Sequence, residues 1–144
     1  MPLPDQVFSI LAASVLGAAV GAEREWRRHP GGLRSCALIA TAAAVFARMS
    51  IEHGGAAPGA ALGAVATGVG FLGAGVIMRN GDHIRGLSTA ATFWAVAALG
   101  VAAALEEYTV AITLTLVVFF AHIVLRPLST WIENRAPPEE DGPQ

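Results

Sequence analysis

Lysine is absent from this chain of 144 residues, and all nine of its basic residues are arginines. Charged residues make up only 14% of the sequence, whereas a soluble domain has roughly 25%. The arginines mark short loops and form no basic stripe, so a nucleic-acid partner has little support. The single cysteine, Cys36, excludes an intramolecular disulfide and an all-cysteine metal site.

The short motifs typical of enzymes are also missing. The sequence contains no P-loop, no H-E-x-x-H pair and no nucleophile–base motif. The string Gly68-x-Gly70-x-x-Gly73 has the spacing of a dinucleotide fingerprint, but it lies inside an apolar run far longer than the strand that this fingerprint follows. No Asp or Glu interrupts the middle of an apolar run, which argues against a carboxylate-lined ion path. We therefore expect no enzymatic activity, no cofactor and no metal site.

Long apolar runs are what the chain has in abundance. Hydrophobic residues make up 54% of the sequence, and the mean hydropathy is +0.57. Crossing a bilayer core takes about 20 apolar residues, and runs near that length cover residues 6–23, 35–52, 58–78, 87–105 and 108–126. The sequence predicts an all-α, polytopic membrane protein, a bundle of about five transmembrane helices. A soluble protein with a buried core is the less favoured alternative.

The chain divides into two predicted parts. Residues 1–126 form the transmembrane domain. Residues 127–144 form an interfacial segment, with Trp131 at headgroup level, and an acidic, proline-rich tail that we expect to be disordered.

The arginines lie almost entirely on one side of the predicted helices. Loops 23–34 and 79–86 and the segment after the fifth run hold eight of the nine, and only Arg48 lies on the other side. The positive-inside rule then predicts an N-terminus outside and a C-terminus in the cytoplasm. No basic residue precedes the first run, which favours an uncleaved anchor over a signal peptide.

Glycine is concentrated in the stretch from Gly68 to Trp94. In lipid, small residues let the backbones of two helices approach closely. We predict that some of these residues close the bundle and that one glycine surface is left over, which makes a homodimer or docks another membrane protein complex. The predicted helix-packing residues are Gly17, Gly21, Gly68, Gly70, Gly73, Gly75, Gly86 and Trp94.

Charged and hydroxyl residues gather at the arginine-rich side. Glu23 is predicted to pair with Arg34 or Arg85, because ionisable residues near hydrocarbon are costly unless paired. The alternative is that these charges only set the topology and extend into the headgroups. Arg85 with two hydroxyls at a helix start also resembles an anion site, although an ordinary capped helix is the commoner explanation. The predicted functional cluster is Glu23, Arg24, Arg34, Ser35, Arg85, Ser88 and Thr89.

Four motifs together resemble one known family. They are Gly21-x-Glu23-Arg24, then the segment GLRS at 32–35, then GVGFLGAGVI at 68–77, and RGLSTAA at 85–91 followed by Trp94. In this order they resemble the MgtC/SapB family of bacterial inner-membrane proteins, over about residues 5–125. The chain departs from the family pattern in having Ser35 and Ser88 at positions where the family usually has threonine.

The resemblance implies a multi-pass protein of the bacterial cytoplasmic (inner) membrane. It implies a regulatory or interaction role linked to magnesium homeostasis, growth at low magnesium or virulence, through a membrane complex such as the F-type ATP synthase. The alternative is a transporter or channel for magnesium or another small ion. The longer branch of the family carries a C-terminal ACT-like domain, and the sequence resembles the short branch without it. The expected partners are the lipid bilayer and a second copy or another membrane protein complex.

Overall fold

The computed structural model describes residues 3–53, 58–80 and 83–135. Four long helices come from the apolar runs with a short hairpin between the third and the fourth: α1 (Leu3–Trp26), α2 (Leu33–His53), α3 (Pro58–Val76), β1 (Met78–Asn80), β2 (His83–Arg85) and α4 (Leu87–Ala104). The last run forms α5 (Tyr108–Phe120), a π-helical turn (Ala121–Leu125) and α6 (Arg126–Glu133).

The prediction of an all-α polytopic membrane protein is confirmed. In the part of the chain that the structure describes, four helical segments are long and apolar enough to cross a membrane: Leu3–Trp26, Leu33–Glu52, Leu87–Ala104 and Tyr108–Glu133. The described apolar part of α3, Leu62–Val76, is shorter.

Helix α4 lies at the centre of the bundle. More than half of its residues are buried, including Thr89, Phe93, Val96 and Gly100, so its neighbours cover it on several sides. Helix α1, by contrast, buries one narrow stripe that recurs every three or four residues, as expected for a helix with one side against protein and the other against lipid. This stripe is Ser9, Ala13, Gly17, Val20, Gly21 and Arg24.

Small residues set the distance between α1, α2 and α4. A Cβ atom at Gly17 would lie 2.6 Å from the Cβ of Ala40, and one at Gly100 would collide with the backbone of Ala40. Two glycines on different helices therefore meet the same alanine of α2. Such close backbone approach is how helices gain packing energy in lipid, where no hydrophobic force drives them together.

A two-stranded antiparallel hairpin joins α3 to α4. Met78 pairs with Arg85, and Arg79 pairs with Ile84. Gly86 follows with a φ of 94°, which favours glycine.

The fifth run continues past its predicted end. Helix is unbroken from Tyr108 to Glu133, so residue 126 is not a helix end. Pro127 has no N–H to donate to the carbonyl of Ile123, and the helix widens into a π turn just before it. The predicted disordered tail, residues 136–144, lies outside the described residues.

Candidate functional site

Arg24 is buried at the arginine-rich end of the bundle, with only 2% of its surface exposed. Its guanidinium donates to the carbonyl oxygens of Pro30 (2.6 Å) and Gly31 (3.1 Å). It also donates to the hydroxyls of Thr89 (2.8 Å) and Thr92 (3.0 Å). These four bonds satisfy a charged group that would otherwise be costly to bury, and they tie α1, the α1–α2 turn and α4 together.

The α1–α2 turn is shaped to bring its carbonyls to Arg24. Gly31 has a φ of 73°, and a Cβ there would collide with the ring of Phe93, so the turn lies directly on α4. Glu25 then accepts a hydrogen bond from the amide of Leu33 at 2.9 Å, which supports the start of α2. Ser35 lies inside the first turn of α2, since the helix begins at Leu33, two residues earlier.

Glu23 extends the network to the last membrane helix. One carboxylate oxygen forms an ion pair with the Nε of Arg27 at 2.6 Å, without the alignment of a hydrogen bond. The other lies 3.0 Å from the Nδ1 of His122, in the π turn. The Nε2 of His122 lies 3.0 Å from the Oγ1 of Thr92, which Arg24 also contacts. π turns occur often at functional sites because they reposition a side chain.

Whether His122 carries a hydrogen on one ring nitrogen or on both decides how these groups bond. The Thr92 hydroxyl lies 2.7 Å from the Ser88 carbonyl, and when it donates there it accepts from both Arg24 and the Nε2 of His122. His122 then donates at both nitrogens, since the ionised carboxylate of Glu23 is only an acceptor. A neutral His122 that donates to Glu23 instead requires the Thr92 hydroxyl to turn toward Nε2. The network thus has two discrete hydrogen-bond arrangements.

The structure brings together only part of the predicted functional cluster. Glu23, Arg24 and Thr89 lie in the network, and Ser88 lies at the edge of a neighbouring cavity. The predicted pairing of Glu23 with Arg34 or Arg85 is wrong. Glu23 pairs with Arg27 one turn along α1 and with His122, while the other two arginines and Ser35 are exposed, on α2 and β2.

Three residues of the network were not in the predicted cluster. Arg27 lies four residues after Glu23, a spacing that allows an ion pair along a helix. Thr92 lies three residues after Thr89 and so shares its face of α4. His122 is a lone imidazole in an apolar run, which alone indicates only a hydrogen-bonded packing residue. Its partners lie far away in sequence, Glu23 99 residues earlier and Thr92 30 residues earlier.

The predicted glycines fall into two groups. Added Cβ atoms at Gly17, Gly21, Gly73 and Gly86 would meet other helices or turns within 4 Å, so these glycines serve internal packing. Among the described residues, nothing lies within 4 Å of a Cβ built at Gly68, Gly70 or Gly75. Trp94 is 56% exposed and lines a cavity of about 190 Å³ between α3 and α4.

A second polar cluster lies at the opposite end of the bundle. Arg48 is 6% exposed and donates to the carbonyl of Ala104 at 3.0 Å, at the C-terminus of α4. It also lies near Glu106 (3.5 Å) and Glu52 (3.7 Å), and Glu52 accepts from Gln6 at 2.6 Å. A cation at a helix C-terminus is stabilised by the helix dipole. Arg48, the lone arginine at this end of the bundle, therefore links α2 to α4.

Within residues 3–53, 58–80 and 83–135, no three His, Cys, Asp or Glu side chains come together as metal ligands would. The expectations of no metal, no cofactor and no catalysis stay predictions.

A helix bundle with apolar outer surfaces and a buried arginine network at each end defines a polytopic α-helical membrane protein. Close relatives in sequence agree with that class. The model of the MgtC family matches residues 10–131, and the chain belongs to the MgtC family.

Several curated proteins are similar along almost the whole chain. Protein MgtC of Salmonella typhimurium (strain LT2) is 44% identical over 136 residues, covering 94% of this chain and 58% of that protein. Protein MgtC of Brucella abortus (strain 2308) is 36% identical over 136 residues, covering 94% and 57%. The chain thus spans little more than half the length of the curated relatives it matches. No solved structure matches.

Proposed function

We propose that this protein is a regulatory or interaction protein of the bacterial inner membrane, which packs the uncovered side of α3 against an apolar transmembrane helix of another membrane protein. The arginine-rich end then faces the cytoplasm, in keeping with the positive-inside rule. The open glycines of α3 carry this proposal.

Gly73 of α3 packs on Ala90 of α4, but the other glycines of α3 differ from those of the other helices in having no described neighbour. Gly17 of α1 and Gly100 of α4 meet the backbone or side chain of Ala40, whereas Gly63, Gly68, Gly70 and Gly75 meet nothing within 4 Å in the described part of the chain. A glycine weakens a helix by about 1 kcal/mol relative to alanine. A close helix neighbour offsets that loss in lipid, because it gains backbone packing that alanine or leucine would prevent.

The surface beside these glycines suits an apolar helix. A groove of about 600 Å³ runs between α2 and α3, with Phe46, Gly68 and Leu72 among its lining residues, none of them charged. Phe71 on the same helix is 81% exposed. The sequence of α3 from Pro58 to Val76 also contains no charged residue, so the occupant must be apolar itself.

The physiological setting follows from family resemblance. We propose that the docked complex is one that responds to low magnesium or matters in virulence, and the F-type ATP synthase is the specific candidate. The chain would regulate this complex through helix contact and would carry no substrate itself.

Transport of magnesium or another small ion is the second candidate, and the packing of the bundle supports it less. Along α1, α2 and α4, the contact of Gly17 and Gly100 with Ala40 lies between the two polar clusters. Direct backbone contact there leaves no space for a hydrated ion at that point. Magnesium flux into proteoliposomes above the protein-free level would favour transport.

Co-reconstitution with purified F-type ATP synthase tests the docking. A photocrosslinker at position 75, on the same face of α3 as the groove residue Gly68, should capture a subunit of the synthase, and the wild-type protein should lower its ATP hydrolysis. Gly68→Leu should abolish both effects, because leucine overfills the contact. Thr113→Leu, on the exposed side of α5, is the matched control and should behave as wild type.

Three outcomes separate the alternatives. Loss of both effects in Gly68→Leu alone supports the proposal. A crosslinked dimer of this chain, with doubled mass in nanodiscs, would show that a second copy of the chain occupies the uncovered side of α3 instead. A monomeric wild type without effect on the synthase would overturn the proposed function.

A further inference from the structure

A cavity of about 360 Å³ opens beside the Arg24 network at the arginine-rich end. Its wall combines residues from the α1–α2 turn, the start of α4 and the α5–α6 segment. The volume is about ten times the share of one water molecule in the liquid, about 30 Å³. The polar residues that matter below are Arg24, Arg27, His29, Ser88, Arg126 and Ser129. We call this space the basic cavity.

The lining of the basic cavity is positively charged. Three arginines line it, and no Asp or Glu does so among the described residues. The nearest carboxylate of the network, Glu23, is already engaged by Arg27 and His122. One anion is thus shared among several cations, which leaves excess positive charge around the cavity.

The pKa of His29 is sensitive to this positive charge. Partial burial lowers its pKa from the ordinary value, and the positive charges of Arg126 and Arg24 lower it further. Its Nε2 lies 3.0 Å from the Nη1 of Arg126, where an always-protonated guanidinium can only donate and a neutral imidazole accepts.

The arginines of the basic cavity differ in how many of their N–H groups remain available to a ligand. Four of the five N–H groups of Arg24 donate to protein oxygens, so Arg24 is chiefly structural. Arg126 is exposed and donates to His29 from Nη1 alone among the described contacts. A guanidinium with free N–H groups binds phosphate oxygens in a two-pronged geometry.

The start of α4 adds neutral donors to the same space. Ser88 is exposed and stands in the first turn of α4, where backbone amides have no carbonyl four residues earlier in the helix. The positive end of the helix dipole lies there as well. Ser129 lines the cavity from α6, where its hydroxyl donates to the carbonyl oxygen of Arg126 at 2.8 Å.

We propose that the basic cavity binds a phosphate group, either from an anionic lipid headgroup or from a soluble phosphate. Arg126 and Arg27 supply the charge, and Ser88 supplies a hydroxyl contact. Arg24 holds the turn and α4 in place behind them. This site is separate from the α3 surface and does not depend on the docking role.

Thermal unfolding of the full chain in nanodiscs tests the site. In phosphatidylcholine nanodiscs, inorganic phosphate is titrated against chloride at equal ionic strength; in a second series, phosphatidylglycerol replaces part of the lipid. A ligand that binds only the folded state raises the unfolding temperature. We expect Arg126→Gln to need at least about tenfold more of the stabilising anion, since it loses a charged hydrogen bond. Arg34→Gln removes an exposed arginine at the same end and should titrate as wild type.

Ser129→Asp is the second variant, because it adds a negative charge to the cavity without removing an arginine. It should abolish the stabilisation even if Arg126→Gln folds poorly. Stabilisation by phosphatidylglycerol alone identifies a lipid headgroup, and stabilisation by inorganic phosphate alone identifies a soluble ligand. Absence of stabilisation by either anion overturns the proposal. Equal losses in Arg126→Gln and Arg34→Gln also overturn it, because they would show a diffuse surface-charge effect.

Discussion

Arg24 in α1 donates from its Nη1 to the Oγ1 of Thr92 in α4, 68 residues later, at 3.0 Å. The same hydroxyl lies 3.0 Å from the Nε2 of His122. One threonine thus joins three membrane helices through two basic side chains. Because each of these groups is wholly or largely buried, the stability of the arginine-rich end depends on all three.

Arg24→Gln should destabilise the protein by at least about 3 kcal/mol, because it leaves several buried hydroxyl and carbonyl groups without their donor. Arg24→Lys should recover only part of this loss, since an ammonium lacks the planar fork that reaches four acceptors. Denaturant unfolding in detergent measures both. Arg34→Gln, an exposed arginine on α2, should change stability by less than about 0.5 kcal/mol. Equal effects at the two positions would contradict the structural role of Arg24.

Glu23 and His122 should be energetically coupled across 99 positions of sequence. In a double-mutant cycle of Glu23→Gln and His122→Gln, we expect a coupling energy of about 0.5–3 kcal/mol. Glu107→Gln, an exposed carboxylate at the other end, should show no coupling to His122→Gln. If the stability changes of Glu23→Gln and His122→Gln are additive, Glu23 is not paired with His122 and extends into the headgroups instead.

Glycine-to-alanine substitutions should lower the stability at packed positions and should not lower it at open positions. Gly100→Ala should destabilise the protein by about 1–3 kcal/mol, because the new methyl group collides with the backbone of Ala40. Gly75→Ala has no neighbour to meet and should be neutral or stabilising by up to about 1 kcal/mol, from helix propensity. Unfolding of purified variants in detergent distinguishes the two. A strongly destabilised Gly75→Ala monomer would mean that α3 packs differently.

Stability should fall as the pH drops below the ordinary pKa of histidine, in part because of His29. Burial and nearby arginines lower the pKa of folded His29 below 6.5. Between the folded and the unfolded pKa the unfolded chain binds more protons, so this contribution is complete above about pH 6.5 and is lost as the pH falls toward the folded pKa. His29→Gln should therefore lose less stability than wild type between about pH 7.5 and about pH 5.5. Identical pH profiles would show that His29 does not contribute.

Cysteine labelling tests the orientation. A cysteine at Arg34 should react with impermeant reagent only from the cytoplasmic side, and one at Glu107 only from the outside, because arginines concentrate inside. Cys36 is fully buried and should give little background. Labelling of position 34 in intact spheroplasts would reverse the proposed topology.

The apolar runs determined how many membrane helices form and roughly where they lie, because a bilayer requires a nearly fixed length of uninterrupted apolar residues. Even so, the runs did not locate the end of the last helix, since residues 127–133 stay helical although polar residues interrupt their apolar ones. An amphipathic helix can extend into headgroups and water, and a hydropathy run does not detect it.

The sequence also placed Glu23, Arg24 and Thr89 in the candidate site, because charge and hydroxyls beside hydrocarbon are rare and local. Only the tertiary structure chose their partners. Glu23 had several arginines within reach of the same membrane face, and the selection of Arg27 and His122 followed from how α1 and the π turn meet. The same holds for the glycines: all lower helix propensity alike, and only packing distinguishes Gly17, pressed against Ala40, from Gly70, which has no described neighbour.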